Sequence, residues 1–304
     1  MATCRLIIED EVHIKLEGLE VDVRRKLANA LKFEVPYARY MPQYKLGRWD
    51  GTVSFFGIGG TGYLAHLDVA LPIVEGDGYD IEVIDQRTAP KLEFDKITEN
   101  YWADQGKTWP KGHPEEGKPI VLRDYQYDVV NKFLENPQAL QEVATGAGKT
   151  IITATLSHLC EPYGRSLVIV PNKSLVTQTE EDYVNCGLDV GVYFGDRKEL
   201  GRTHTICTWQ SLNILSKKTK NHEAAVTFQE AMEDVRCIIV DEVHQAKADV
   251  LKQLLTQNFA HVPIRWGLTG TIPKEQFEFQ GIRAGLGEVI NHISASDLQA
   301  KGVL

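Results

Sequence analysis

The sequence contains few cysteines, and they form no metal-binding pattern. Five cysteines are scattered through 304 residues, and none is part of a Cys-x-x-Cys pair. An odd number of widely spaced cysteines supports neither a disulfide framework nor a zinc site. This usage excludes the small disulfide-rich secreted class and predicts a reducing, cytoplasmic setting.

Long apolar runs and a surplus of positive charge are also missing. No stretch approaches the length of a membrane span, and the N-terminus has no basic segment leading into an apolar core. We therefore expect no membrane partner and no secretion signal. The net charge of −9 argues against binding nucleic acid through the charge of the whole surface. With 43% hydrophobic and 25% charged residues, the chain has the composition of a globular protein, and its length allows two cores.

One glycine-rich segment indicates a phosphate-binding loop. Residues 144–150 read Ala-Thr-Gly-Ala-Gly-Lys-Thr and precede an apolar stretch. Gly146 and Gly148 allow backbone NH groups to turn toward phosphate oxygens at the start of the following helix. Lys149 would then reach the β- and γ-phosphates, and the Thr150 hydroxyl would ligate Mg²⁺. The candidate nucleotide-binding residues of this loop are Thr145, Gly146, Ala147, Gly148, Lys149 and Thr150.

An acidic motif follows a predicted buried strand later in the chain. Residues 241–244 read Asp-Glu-Val-His directly after the apolar run at 237–240, which is typical of a strand in a parallel sheet. Asp241 would hold Mg²⁺ through water, and Glu242 would orient or deprotonate an attacking water. The same four residues occur at 10–13, where no phosphate loop precedes them. There we interpret them as a polar interruption between two strands.

Strands and helices alternate in the second part of the chain. Helices are predicted between strands at 167–170, 205–207, 237–240 and 264–268. Alternating β and α segments of these lengths predict an α/β fold with a parallel, doubly wound sheet. Residues 98–117 are dense in glycine and proline, which predicts a connector. We therefore expect a small α/β domain at 1–97 and a larger α/β domain at 118–304.

The first domain has an uneven distribution of charge. Between residues 24 and 48 there are seven Lys or Arg residues against one acidic residue, interleaved with aromatic residues. Cations beside flat rings suit phosphate neutralisation and base stacking. An apolar stripe at Val23 and Leu27 also fits an ordinary solvated helix face, and this alternative stays open. The candidate nucleic-acid-binding residues here are Arg24, Arg25, Lys26, Lys45 and Arg48.

A second glycine-rich segment raises a different function. Residues 57–62 read Gly-Ile-Gly-Gly-Thr-Gly after a predicted strand, and Asp85 follows near the spacing of a dinucleotide-binding site. Pro72 and the turn at 75–78 leave little room for an uninterrupted helix between them. We therefore interpret the segment as a turn, with a dinucleotide-binding enzyme as the less favoured alternative.

Further motifs precede and follow the predicted strands. Arg123 and Gln126 stand at the start of a helix predicted at 124–135, where Gln126 could contact N6 and N7 of adenine and favour ATP. Thr269 and Thr271 end a strand where they could hydrogen-bond His244. Two further segments each follow a predicted strand and start a helix, whose backbone amides could hold the phosphates of a nucleic acid strand. Each segment also resembles an ordinary helix cap. The candidate residues there are Pro171, Asn172, Lys173, Ser174, Thr208, Trp209 and Gln210.

The order of these six motifs resembles the first motor domain of superfamily 2 helicases, in the branch shared with type I and type III restriction motors and XPB-like proteins. The resemblance covers about residues 118–304. It implies a RecA-like P-loop NTPase fold, ATP and Mg²⁺ as cofactors, and movement along single-stranded and branched duplex DNA during recombination, repair and replication. It assigns catalysis to Lys149, Asp241, Glu242 and His244, and coupling of hydrolysis to DNA to Thr269 and Thr271.

The sequence also departs from this family. No Gln-x-x-Gly-Arg-x-x-Arg segment, which would supply arginine fingers from a second RecA-like lobe, occurs in the 304 residues. Such a finger increases the rate of phosphoryl transfer by a factor of roughly 10³ to 10⁵. We therefore expect an N-terminal fragment whose partner is the C-terminal lobe of the same protein, and which neither hydrolyses ATP efficiently nor unwinds DNA. A phosphate-loop module that binds ATP without translocating is the alternative.

Overall fold

The computed structural model describes residues 1–88 and 90–304, which form two compact units. The first unit consists of residues 1–88, 255–261 and 273–287, and the second of residues 90–254, 262–272 and 288–304. The sequence predicts a single boundary between two domains. In the structure the chain instead passes several times between the units, because two later segments pack with the N-terminal part of the chain.

The elements follow one another along the chain as a mixture of strands and helices. The strands are β1 Ala2–Ile8, β2 His13–Glu17, β3 Lys32–Glu34, β4 Thr52–Ser54, β5 Thr61–Tyr63, β6 Tyr79–Asp85, β7 Gln138–Val143, β8 Arg165–Val170, β9 Val190–Phe194, β10 Arg197–Lys198, β11 His204–Thr208, β12 Val235–Val240, β13 Ile264–Thr269 and β14 Glu288–Ile293. The helices are α1 Val21–Ala30, α2 Pro42–Lys45, α3 Leu67–Gly76, α4 Asp124–Glu135, α5 Lys149–Cys160, α6 Lys173–Asn185, α7 Trp209–Lys220, α8 Phe228–Ala231, α9 Ala248–Gln253, α10 Gln276–Leu286 and α11 Ala295–Ala300. Among the residues that the structure describes, no helix is long and apolar enough to cross a membrane.

The first unit is built on a four-stranded sheet in the order β5-β2-β1-β6. β1 and β2 form an antiparallel hairpin, and β1 pairs in parallel with β6. In the hairpin connection, Asp10 Oδ1 accepts hydrogen bonds from the backbone N of Val12 at 2.8 Å and of His13 at 2.7 Å. The prediction that this first Asp-Glu-Val-His segment is a polar interruption between two strands is confirmed.

The glycine-rich segment at 57–62 joins two strands, β4 and β5, and no helix begins there. Gly60 has a φ of 101°, and a Cβ on it would lie 2.5 Å from the Leu16 carbonyl oxygen, so only glycine fits. A dinucleotide site needs a strand followed directly by a helix, and the structure lacks that arrangement at this segment.

The expectation that Pro72 prevents an uninterrupted helix is wrong. Pro72 lies inside α3, which runs from Leu67 to Gly76. A proline inside a helix removes one backbone hydrogen bond. The helix persists because Ala70 and Val74 are buried in the core of the unit, and this tertiary packing offsets the local penalty.

The second unit contains an eight-stranded sheet in the order β10-β9-β11-β8-β12-β13-β7-β14. Every pairing is parallel except that of β10 with β9. The central strands are buried over most of their length, including the continuous apolar runs at 167–170 and 237–240. The predicted parallel α/β sheet is confirmed, and the carboxyl ends of its strands meet at one edge, where such folds bind ligands.

Residues 98–117 belong to the second unit. Trp102 is fully buried in the core of this unit, and its indole Nε1 donates a hydrogen bond to Thr155 Oγ1 at 2.9 Å. Trp102 therefore anchors this stretch to α5, and the predicted connector is part of the second unit.

Candidate nucleotide site

The glycine-rich loop lies between the end of β7 and the start of α5, as its sequence predicts. Gly146 and Gly148 have φ angles of 88° and 72°, in the left-handed region that favours glycine. The Ala147 carbonyl accepts hydrogen bonds from the Tyr125 hydroxyl at 2.8 Å and from Gln126 Nε2 at 3.2 Å. α4 therefore holds the loop in place from outside.

Lys149 brings the loop and the acidic motif together. Its ammonium group forms an ion pair with Glu242 and contacts the Val143 carbonyl at 3.4 Å. Both charged side chains are buried. A buried charge is costly unless it is paired, so each of these groups stabilises the other in the absence of phosphate.

The acidic motif follows β12 and carries unpaired oxygen atoms. Within the described residues, Asp241 Oδ1 and Glu242 Oε2 are buried and have no hydrogen-bond partner. Burial raises the pKa of Asp241 to about 6, although Lys149 opposes the increase. Glu242 has a φ of 52°, which is uncommon and unfavourable for a residue other than glycine. Orphaned carboxylate oxygens beside a phosphate-binding loop fit the binding of Mg²⁺ with a nucleotide.

A short hydrogen-bond chain connects the acidic motif with the end of β13. His244 Nδ1 lies 2.6 Å from Thr269 Oγ1, and the Thr269 hydroxyl donates to the Thr271 carbonyl at 2.8 Å. The predicted contact of His244 with a threonine hydroxyl is present for Thr269. Thr271 takes part through its backbone instead of its hydroxyl.

Arg123 and Gln126 lie at the start of α4, where they make local contacts. Gln126 Oε1 accepts a hydrogen bond from the backbone N of Arg123 at 2.9 Å, and Gln126 Nε2 donates to the phosphate loop as described. The glutamine therefore caps the helix and tethers the loop. Its recognition of adenine stays a prediction.

The two candidate phosphate-gripping segments follow the neighbouring strands β8 and β11, whose last residues Val170 and Thr208 are paired. Asn172 and Thr208 cap the helices after them, accepting from the backbone N of Leu175 at 3.0 Å and of Ser211 at 3.2 Å. These caps have the ordinary structural role that the sequence also allows. The first segment, at 171–174, is exposed from Asn172 onward.

Six of the seven basic residues between positions 24 and 48 fall into two groups. On α1, Arg24 donates to the Ile58 carbonyl at 2.9 Å, Arg25 lies 3.7 Å from Asp22, and Lys26 lies 2.9 Å from Asp77. The second group surrounds α2 and is exposed. In the part of the chain that the structure describes, its cations form no ion pair with an acidic side chain; they are Arg39, Lys45 and Arg48.

Two contacts of this site were not predicted from the sequence. Tyr125 contacts the loop from α4, and Asp182 on α6 accepts a hydrogen bond from the Thr150 hydroxyl. Tyr125 stands inside the Arg-x-Tyr-Gln motif, so its position could have suggested a role. Asp182 belongs to no motif, and only the packing of α6 against α5 places it beside the loop.

Comparison with known proteins assigns the second unit to a family. The family described as type III restriction enzyme, res subunit, matches residues 119–274. The chain belongs to this family. The match covers the phosphate loop, the acidic motif, Thr269 at the end of β13 and Thr271 just after it.

Individual relatives extend the comparison to the first unit. The ATP-dependent DNA helicase UvsW of Enterobacteria phage T4 is 22% identical, over 96% of this chain and 57% of that protein. A putative DNA 3'-5' helicase Rad25 of Halobacterium salinarum is 30% identical, over 53% of this chain and 26% of that protein. A crystal structure of the phage T4 UvsW helicase superposes with a TM-score of 0.73 at 18% identity, covering 95% of this chain and 99% of that one. The fold, including the small N-terminal unit, is therefore that of UvsW, while the chain spans little more than half of the full-length relative.

Proposed function

We propose that this chain forms the first motor lobe of an ATP-dependent DNA helicase or translocase that acts on branched DNA. The observation that carries the proposal is the meeting of Lys149, from the phosphate loop, with Glu242, from the acidic motif. Beside them, Asp241 Oδ1 is buried and has no hydrogen-bond partner among the described residues. Membership of the restriction-motor family supports a nucleotide-driven motor. The similarity to UvsW, an ATP-dependent DNA helicase, across both units supports DNA as the substrate, and branched DNA is the substrate that the resemblance of the six motifs implies.

The residues of the site fit ATP with Mg²⁺. The backbone NH groups of residues 146–150 would bind the phosphates, and Lys149 would exchange its contact with Glu242 for a phosphate oxygen. Thr150 and Asp241 would hold the metal, which neutralises charge on the phosphates when it is bound. Glu242, once released from Lys149, is a carboxylate free to orient a water and accept its proton.

Coupling to DNA uses the hydrogen-bond chain from His244 to Thr269 and Thr271. A change at Glu242 alters the neighbouring His244, whose Nδ1 lies 3.5 Å from Glu242 Oε2. His244 in turn contacts Thr269, at the end of a neighbouring strand. The exposed residues 172–174 and the cations around α2 are the proposed contacts with DNA phosphates.

A second motor lobe is part of the proposal, since the UvsW relative extends well beyond the matched region. In this class of motor, charge that develops on the transferred phosphate is stabilised by arginine from a facing lobe. We therefore expect the 304-residue chain to bind ATP and to hydrolyse it slowly.

The test is the ATPase rate of the full-length protein without DNA and with single-stranded, duplex and four-way DNA. We expect stimulation by DNA, strongest with the branched substrate, and loss of the activity with Lys149→Ala. A regulatory phosphate-loop module would instead bind ATP, and its ATPase rate would be the same with and without DNA. That result would disprove the motor assignment.

A further inference from the structure

A carboxylate outside every sequence motif contacts the phosphate loop. The Thr150 hydroxyl donates a hydrogen bond to Asp182 Oδ2. Asp182 lies near the end of α6, and Thr150 lies in the first turn of α5. The contact therefore joins the residue expected to ligate Mg²⁺ to a helix that contributes nothing else to the site.

The neighbouring Tyr183 fixes the position of Asp182. Tyr183 is fully buried, its hydroxyl lies 2.5 Å from Ser157 Oγ, and it donates to the Thr153 carbonyl at 3.1 Å. Thr150, Thr153 and Ser157 are spaced by three and four residues, so they share one face of α5. Packing between α5 and α6 thus presents Asp182 to Thr150 without any contribution from a nucleotide.

The direction of this hydrogen bond suits a metal ligand. A hydroxyl group has one proton and two lone pairs. With its proton donated to Asp182, Thr150 directs its lone pairs elsewhere and is preoriented for a cation. Carboxylates that accept hydrogen bonds from metal ligands fix ligand orientation and increase ligand basicity.

We propose that Asp182 is a positioning residue for the Mg²⁺ that accompanies the nucleotide, and that it acts through Thr150 without touching the metal. This inference rests on the proposed nucleotide site. Its alternative is a contact that only holds α6 against α5. The two differ in whether removing the carboxylate affects nucleotide binding with the metal more than binding without it.

The experiment measures the affinity of the 304-residue chain for a fluorescent ATP analogue, in Mg²⁺ and in EDTA. Asp182→Ala should weaken binding about tenfold in Mg²⁺, the lower range for such partners of metal ligands, and leave binding in EDTA unchanged. Asp182→Asn keeps an oxygen that accepts the hydrogen bond and should recover most of the loss. Glu181→Ala, on the same helix, is the control and should behave as the wild type.

A double variant separates positioning from packing. In a Thr150→Ala background, Asp182→Ala should cause no further loss of affinity, because the two residues act through one contact. Equal losses in Mg²⁺ and EDTA, additive losses in the double variant, or no loss would each overturn the inference. Failure of the wild type to bind the analogue in either condition would instead refute the nucleotide site itself, and the inference with it. Thermal melting of every variant identifies a loss caused by unfolding.

Discussion

Glu242 occupies a demanding position. It is buried, it pairs with Lys149, and its backbone is in the left-handed region. Directing this carboxylate into the site costs the main chain about 1–3 kcal/mol of local strain. Such a cost is typical of functional residues, and it agrees with the role that the acidic motif implies.

At the scale of a single residue, the first prediction concerns the charge of Glu242. Glu242→Gln keeps the size of the side chain and removes its ability to accept a proton. We expect the DNA-stimulated ATPase of the full-length protein to fall by about 10² to 10⁴, with binding of the ATP analogue retained. Steady-state turnover and analogue titration measure the two effects. Glu233→Gln, an exposed change in the same unit, should alter neither; an active Glu242→Gln variant would remove Glu242 from catalysis.

The second prediction concerns a buried histidine in the second unit. His204 Nδ1 lies 2.5 Å from Ser166 Oγ, and Nε2 lies 2.7 Å from Glu161 Oε1. Burial lowers the pKa of His204 below its ordinary value of 6.5, with Glu161 opposing the shift. The unfolded chain therefore binds a proton more readily than the folded one. The contribution of the neutral imidazole to the free energy of unfolding is fully present above the pKa that His204 has in the unfolded chain. It is lost as the pH falls through the pKa that His204 has in the folded chain.

Urea unfolding at a series of pH values from 7.5 to 5 checks this prediction. The wild type should lose more unfolding free energy over this range than His204→Gln, which cannot titrate. The control is His222→Asn, because His222 is exposed in a left-handed turn that asparagine tolerates. If the unfolding free energy of the wild type and of His204→Gln depends on pH in the same way, groups other than His204 cause the loss of stability.

At the scale of single elements, α4 acts as a support for the phosphate loop. The third prediction is that Tyr125→Phe, which removes the 2.8 Å bond to the Ala147 carbonyl, weakens ATP-analogue binding about fivefold. A hydrogen bond of this kind contributes about 1 kcal/mol. Tyr127→Phe on the same helix is the matched control. If both variants bind equally well, the loop holds its shape without the Tyr125 hydroxyl.

A fourth prediction concerns α10, which lies in the first unit although it follows β13 in the chain. The ring of Phe277 packs 5.9 Å from that of Phe55, centroid to centroid. Phe277→Ala should destabilise the first unit by about 2 kcal/mol, less than for a fully buried phenylalanine because Phe277 is half-buried. Thermal or urea unfolding measures the loss. Phe279→Ala, which removes a ring that stacks on no other ring among the described residues, should cost less; equal losses would refute the special role of Phe277.

Elements of the second unit follow from the sequence better than those of the first. Helix α4 begins and ends at the predicted residues, and the predicted strands are recovered within two residues, because continuous apolar runs, caps and prolines are local signals. The meeting of the loop and the acidic motif was likewise predictable, because strand ends in a parallel sheet share an edge, whereas the roles of their residues stay predictions. The helix through Pro72 and the contact of Asp182 with Thr150 were not predictable, since both depend on packing between segments distant in sequence.

For the whole molecule, the exposed cations around α2 give the fifth prediction. Replacing Arg39, Lys45 and Arg48 by alanine should lower the affinity for DNA. The plot of the logarithm of affinity against the logarithm of salt concentration should also become less steep, by about 0.9 for each DNA phosphate that is no longer neutralised. Binding titrations at several salt concentrations measure both. The matched control neutralises Arg24, Arg25 and Lys26, which already contact groups in the protein and should matter less. Unchanged affinity and slope in the first variant would make these cations ordinary surface.

The interleaving of the two units affects how this molecule can be divided. Two segments of the first unit, 255–261 and 273–287, lie in sequence between strands of the second. A fragment that begins near residue 90 would keep these segments and lose the N-terminal part of the chain with which they pack, exposing the apolar face of α10. The front unit therefore cannot be exchanged between proteins as a simple N-terminal extension. Exchanging the first unit between related proteins would require matching changes at two later places in the sequence, 255–261 and 273–287.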